Sequence, residues 1–323
     1  MEIITIDQNS GIPLIGLAYL GILTRNDNSL IQIRSTTVCN LKCPFCSTAA
    51  NSLNIHPRNF VIEKNYLVAW IKEIVNYLGG IDIAHIDSVG EPTTYKDLPF
   101  LIKEIKKLEV KQVSIVTNCS LLNEKLIKEL KKAGLDKINI SIHSLKENKS
   151  KQLFGNNSYD IKKILENIKI LIKNGIEVWL TPVYLPGINE SDIEDLIELS
   201  KKLNCHIGIQ KYETHKFGRK MKSVKEQTYH SFYKKINEWE KIHNIRLGFK
   251  AKDIEVKKVK KLPVKFKLNE KVKIQIKSRG WMPNQMIGVA KNRAITILDC
   301  NKPINSIITA KIIQIKNNIY LAK

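Results

Sequence analysis

Cys39-Asn40-Leu41-Lys42-Cys43-Pro44-Phe45-Cys46 sets three thiols at C-x3-C-x2-C spacing, directly after the alternating run Ile31-Gln32-Ile33-Arg34, which reads as a strand. Three thiolates on one short loop can hold three irons of a [4Fe–4S] cluster, leaving the fourth iron to a ligand that is not cysteine. Structural zinc instead wants a fourth Cys or His at short spacing. The next donor along the chain, His56, stands in no recognisable pairing. On spacing alone a zinc knuckle or buried thiols stay open.

Outward from this loop, apolar β-rich runs alternate with helical periodicity. Strands are expected at residues 31–34, 81–88, 113–116, 138–142, 178–180 and 207–209. Helices are expected between them: Leu67, Trp70, Ile71, Ile74 and Leu78 share one face, and Leu126, Leu130 and Ala133 lead to a helix stop at Gly134. Repeated strand–helix units require right-handed crossovers and a parallel sheet covered by helices. In such α/β folds chemistry collects where strands end. Those ends read Ser88-Val89-Gly90-Glu91-Pro92-Thr93, Thr117-Asn118-Cys119, Ser141-Ile142-His143-Ser144, Thr181-Pro182 and Gln210. Taken singly, Gly-Glu-Pro is a turn and isolated Ser or Asn residues are strand-end caps.

The cysteine spacing, with aromatic Phe45 just before the third thiol, resembles that of radical SAM enzymes. That resemblance implies a partial (β/α)6 TIM-like barrel over residues 31–247. It also implies a [4Fe–4S] cluster on Cys39, Cys43 and Cys46, and S-adenosylmethionine on the open iron, cleaved after reduction to a 5′-deoxyadenosyl radical. Gly90-Glu91 resembles the family's G-G-E motif, with Val89 in place of the first glycine, and implies that Glu91 binds the methionyl amino group. Phe45, Gly90, Asn118, Ser141, Thr181 and Gln210 are further implied cofactor contacts. Thr117-Asn118-Cys119 stands where relatives carry T-N-G. Cys119 is a candidate reactive thiol or a buried small residue, and His143 a candidate proton carrier or substrate contact, or a structural histidine. Methylthiolating relatives carry a second cluster, but Cys119, Cys205 and Cys300 lack any cluster spacing.

Charge is segregated along the chain. Residues 1–210 hold 25 Lys and Arg against 23 Asp and Glu; residues 211–323 hold 28 against 8. A field concentrated in this way attracts polyanions, nucleic acid first. Residues 1–30 are expected as a short strand pair extending the main sheet, with Gly11-Ile12-Pro13 and Asn26-Asp27-Asn28 as turn chemistry, and 248–268 as a basic linker carrying Lys257, Lys258, Lys260 and Lys261. Residues 269–323 contain about five short alternating runs, which suggests a small closed all-β barrel. Gly288-Val289-Ala290-Lys291 and the terminal Asn318-Ile319-Tyr320-Leu321-Ala322 resemble a TRAM domain, an OB-like barrel appended to tRNA- and rRNA-modifying enzymes. A dimerisation barrel is the plainer alternative. Lys277, Arg279, Trp281 and Lys291 are candidate RNA contacts by stacking or phosphate binding, with Trp281 equally fit for barrel core.

The resulting expectation is a radical SAM enzyme that modifies a nucleoside of RNA, tRNA above all, by methylation or a related group transfer. The alternative keeps the radical chemistry and takes a peptide, protein or small metabolite, with the small barrel as a partner-binding module. A one-electron reductant such as ferredoxin or flavodoxin is implied. The start Met1-Glu2-Ile3 lacks a basic leader, and the apolar stretch 12–23 is too short and glycine-punctuated to span a bilayer. A reducing cytoplasm, with no membrane partner, suits an oxygen-sensitive cluster.

Overall fold

A computed structural model describes residues 2–25, 27–249 and 256–323. Asn26 of an expected turn and residues 250–255 of the expected linker lie outside them. The chain begins with β1 (Glu2–Ile6), β2 (Gly21–Thr24), β3 (Leu30–Arg34), β4 (Arg58–Ile62), α1 (Lys64–Leu78), β5 (Ile81–Ile86), α2 (Leu98–Lys106) and β6 (Val110–Thr117). It continues with α3 (Glu124–Ala133), β7 (Lys137–Ile140), α4 (Glu147–Phe154), α5 (Ile161–Lys173), β8 (Glu177–Leu180), β9 (Val183–Tyr184) and α6 (Glu190–Leu203). Then come β10 (His206–Ile207), β11 (Gln210–Lys211), α7 (Tyr229–His243), β12 (Lys271–Arg279), β13 (Met286–Ala290), β14 (Arg293–Ile297), β15 (Ile307–Gln314) and β16 (Leu321–Ala322).

Two compact units divide this chain. One holds Met1–Cys39, Asn51–Val113 and Val256–Lys323; the other holds Asn40–Ala50 and Ser114–Glu255. In the first unit β3 pairs parallel with β5 and antiparallel with β2, while β1 pairs parallel with β4. The first two strands therefore do not form the pair expected of residues 1–30. α1 buries the predicted stripe Leu67, Trp70, Ile71, Ile74 and Leu78. Glu63 caps it by accepting from the Asn65 and Tyr66 amides, and Gly79, in the left-handed region at φ 75°, closes it.

The five C-terminal strands close a barrel in the order β12-β13-β14-β16-β15. Val272, Ile274, Ile276, Met286, Ile295, Ile297, Ile312 and Tyr320 fill it. This barrel is not a freestanding appendage within its unit. The Ala294 amide donates to the Ile15 carbonyl at 2.9 Å and the Tyr320 amide to the Gly16 carbonyl at 2.9 Å. A Cβ on Gly16 would stand 1.8 Å from the Ala294 carbonyl oxygen, so only glycine allows this approach. The apolar stretch after Gly11 thus packs as buried loop: Ile12, Leu14, Ile15, Leu17 and Leu20 are all buried.

In the second unit β6, β7, β8 and β10 pair parallel in chain order, with α3, α5 and α6 between them. The Asn123 side chain caps α3 and Gly134, at φ 103°, ends it. β11 leaves this sheet and pairs with β9. Among the described residues no helix is long and apolar enough to cross a membrane.

Candidate metal and cofactor site

The candidate residues fall in both units, each set within its own unit. In the first, Thr37, Val38 and Cys39 run on from β3. Glu91 donates its amide to the Val38 carbonyl at 2.7 Å, and Thr94 Oγ1 donates to the same oxygen at 3.3 Å. A Cβ on Gly90 would meet the Val38 carbonyl oxygen at 2.1 Å and the Thr37 carbonyl oxygen at 2.6 Å. The segment after β5 therefore lies directly on the two residues before Cys39. Gly90 carries that approach, so Val89 in the preceding position does not prevent it. The Glu91 side chain is buried and its Oε1 accepts from the Thr93 amide at 3.0 Å and the Thr93 hydroxyl at 2.6 Å. These bonds fix the carboxylate at the head of the turn Pro92–Thr94.

In the second unit the rest of the cysteine loop is seated by α4 and the glycine after it, by an apolar cluster and by Arg219. The Lys42 amide donates to the Phe154 carbonyl at 3.1 Å, and Gly155, at φ 60°, leaves room where a Cβ would stand 2.2 Å from the Lys42 carbonyl oxygen. Phe45 is buried with Leu153, Leu185, Tyr212 and Val224, its ring edge-on to His143 at 4.9 Å. The Arg219 amide donates to the Cys46 carbonyl at 2.8 Å. The Arg219 guanidinium donates to the Ala50 carbonyl at 2.7 Å and the Cys43 carbonyl at 3.4 Å. Phe45 so acts as the loop's apolar anchor.

Asn118, buried after β6, is locked in a ring of polar bonds. Its Nδ2 donates to Asn40 Oδ1 at 3.0 Å, Asn40 Nδ2 donates to Ser120 Oγ at 2.9 Å, and Ser120 Oγ donates to Asn118 Oδ1 at 2.5 Å. This ring ties the residue after Cys39 to the end of β6. Ser141 is half-buried after β7, its amide on the Thr117 carbonyl at 2.8 Å. Thr181 follows β8, and its buried Oγ1 has no protein partner among the described residues; Ser88 Oγ, at the start of the Gly90-Glu91 segment, is in the same state. Gln210 is exposed on β11 and stands apart from the strand-end series.

Two expectations are corrected. Burial pushes the His143 imidazole down to about 3, and its Nδ1 accepts from the Val183 amide at 3.1 Å between the rings of Phe45 and Phe154. An enclosed imidazole that is neutral at neutral pH, its single ring proton on Nε2, supports the loop and takes up no second proton there. Cys119 is fully buried in the left-handed region at φ 63°, its amide on Thr117 Oγ1 at 2.9 Å. It occupies a glycine-like conformation and offers no surface to a substrate.

Among the RNA candidates, Trp281 is also corrected. It is buried, stacked on His56 at 3.6 Å and on Tyr19 at 5.1 Å, so its faces are taken. Lys291 pairs with Glu270 at 2.6 Å, Lys258 approaches Asp27 at 3.9 Å, and Lys260 lies over Tyr77 at 4.4 Å. Lys257 and Lys261 are exposed, as is Arg279, while Lys277 is half-buried with its Nζ near Gly11.

Cys39, Cys43 and Cys46 are half-buried and outside any disulfide. Among the described residues no three His, Cys, Asp or Glu side chains converge on one ion. A cubane's cysteines bind three different irons and need no such convergence. In the second unit, half-buried thiols on a loop held by its carbonyls suit a cluster, and in the first a fixed, buried Glu91 carboxylate suits a polar organic ligand. Asn40, Ser120, Gly155 and Arg219 join this machinery without a spacing signal of their own.

The family model of the radical SAM superfamily matches residues 33–200. Uncharacterized protein MJ0103 of Methanocaldococcus jannaschii is 34% identical over 99% of this chain and 80% of its own length. GTP 3′,8-cyclase of Aquifex aeolicus is 30% identical over 57% of this chain and 56% of its own length, so this chain spans little more than half of that relative. Among solved structures, SuiB of Streptococcus suis bound to S-adenosylmethionine superposes with a TM-score of 0.53 at 19% identity, over 73% of this chain and 50% of that one, a likeness of fold.

Proposed function

The chain belongs to the radical SAM superfamily, whose members use a [4Fe–4S] cluster and S-adenosylmethionine and need a reductant, and from that premise we propose that it modifies a nucleoside within RNA, tRNA first. Cys39, Cys43 and Cys46 would hold the cluster, with Glu91, Asn118, Ser141 and Thr181 as the proposed contacts of the sulfonium ligand. When bound, these groups supply a 5′-deoxyadenosyl radical able to take hydrogen from an unactivated carbon. The protein's part is orientation and exclusion of water. Thr93 holds the Glu91 carboxylate, Asn40 and Ser120 hold the Asn118 carboxamide, and Arg219 holds the loop between Cys43 and Ala50. Ferredoxin or flavodoxin is the proposed electron donor.

The observation that carries the RNA reading is the charge segregation, 28 basic against 8 acidic residues after position 210, together with a closed five-stranded barrel in that region. We read the barrel as TRAM-like. The cyclase relative takes its name from a guanine nucleotide, GTP, which fits a scaffold that handles nucleosides. The competing substrate is a peptide, since a neighbouring SuiB structure was solved with its precursor peptide. Mass spectrometry of tRNA nucleosides from a deletion strain separates the two: a modified nucleoside lost in the deletion and restored by the gene is expected. An unchanged nucleoside profile would sink the RNA assignment and leave the radical chemistry standing.

A further inference from the structure

Residues 211–234 hold seven Lys and Arg against two Glu, interleaved with aromatic rings that remain outside the core. Phe217 is 45%, Tyr229 59% and Tyr233 37% exposed. Tyr229 and Tyr233 stand one turn apart on α7, ring centroids 6.3 Å apart and planes within 25° of each other, so they present consecutive faces in one direction. Both acids in the segment are engaged internally. Glu226 accepts from Lys211 Nζ at 2.9 Å and from the Thr214 amide at 2.9 Å, and Glu213 accepts from the Tyr229 hydroxyl at 2.5 Å. Lys211 Nζ lies 4.9 Å from the Tyr229 ring centroid. These bonds lock the strand-to-helix strap against α7 and set the first ring of the pair. Lys216, Lys220 and Lys222 are exposed along the same strap.

The strap is also the segment that grips the cluster loop. The Arg219 amide bonds the Cys46 carbonyl at 2.8 Å, and a Cβ on Gly218 would come within 2.7 Å of the Ser47 carbonyl oxygen. Exposed near-parallel aromatics beside a run of lysines match the physical requirements for single-stranded nucleic acid: a π-platform for bases and cations for the backbone. We propose that this strap, with the Tyr229–Tyr233 face of α7, binds a single-stranded segment of the RNA substrate next to the cluster loop. The bases lie on the two tyrosines and the phosphates against Lys216, Lys220 and Lys222. This rests on the RNA reading above and moves the substrate contact from the C-terminal barrel to the unit that carries Cys43 and Cys46.

The test measures binding of a labelled RNA stem-loop to the full-length, cluster-loaded protein across a salt series, with the fully paired duplex as comparison and iron per chain as the check on loading. Lys216→Ala/Lys220→Ala/Lys222→Ala is expected to lower the slope of log affinity against log salt by about two, since each single-strand phosphate contact contributes about 0.7. Tyr229→Ala/Tyr233→Ala is expected to weaken stem-loop binding roughly tenfold or more while changing duplex binding little. If the parent binds RNA and both multiple variants bind it equally well, this surface is wrong and the RNA reading survives. Equal losses for stem-loop and duplex overturn the single-strand claim. A parent protein that binds no RNA at any salt overturns the RNA reading, and this surface with it.

Discussion

Arg219 shows how far from the C-x3-C-x2-C spacing the support for a metal loop can lie. Its guanidinium reaches two carbonyls of the loop, Cys43 and Ala50, from 169 or more positions downstream. Hydrogen bonds from a charged donor contribute about 1.5–3 kcal/mol each, so Arg219→Ala should loosen the loop by about that much while the backbone bond from residue 219 to Cys46 persists. The expected readout is iron per chain after anaerobic reconstitution and desalting, well below the parent at unchanged helical content. Lysine, a point donor without the planar fork, should restore little of it. Full iron retention in Arg219→Ala would remove the residue from the site. Local spacing is enough to single out the three cysteines and Glu91 as candidates. His143 could not be judged that way, because only the packed rings of Phe45 and Phe154 reveal that its imidazole is enclosed.

The elements that were readable are those with strong internal periodicity. α1, α3 and α5 each bury one stripe and carry a side-chain cap at the start, so pattern and punctuation agree. α4 escaped because its eight residues bury only Ser150, Leu153 and Phe154. β4 escaped because its partner is β1, 56 positions earlier, and no local signal specifies that register. The segment after β5 was legible as a motif, but its physical demand was not. Gly90→Ala forces backbone against backbone at the Val38 carbonyl. It should displace Thr37 and Val38, and with them Cys39, so cluster loading should fall by more than half. Gly187→Ala is the matched comparison: at φ 78° it carries only local strain of about 1 kcal/mol, since nothing lies within 4 Å of the added atom. Equal iron content in the two variants would refute the close-approach account.

At the level of the whole molecule, the charge count pointed to a polyanion and the alternating runs to a small barrel, whereas neither showed how the barrel is buried against the N-terminal loop of its own unit. Trp281 decides between the two views of that barrel. A surface stacking residue could be truncated at little cost in stability. A tryptophan packed on His56 and Tyr19 should cost about 3–5 kcal/mol on conversion to alanine. Urea denaturation of Trp281→Ala is expected to show that loss, and a midpoint equal to the parent's would return Trp281 to the RNA candidates. The hydrogen bonds from Ala294 to Ile15 and from Tyr320 to Gly16 also order events in time. The greasy loop from Ile12 to Leu20 leaves the ribosome well before its covering strands are translated. Throughout that interval it is a natural client for a holdase chaperone, and a nascent chain arrested before Ala294 should remain bound to one.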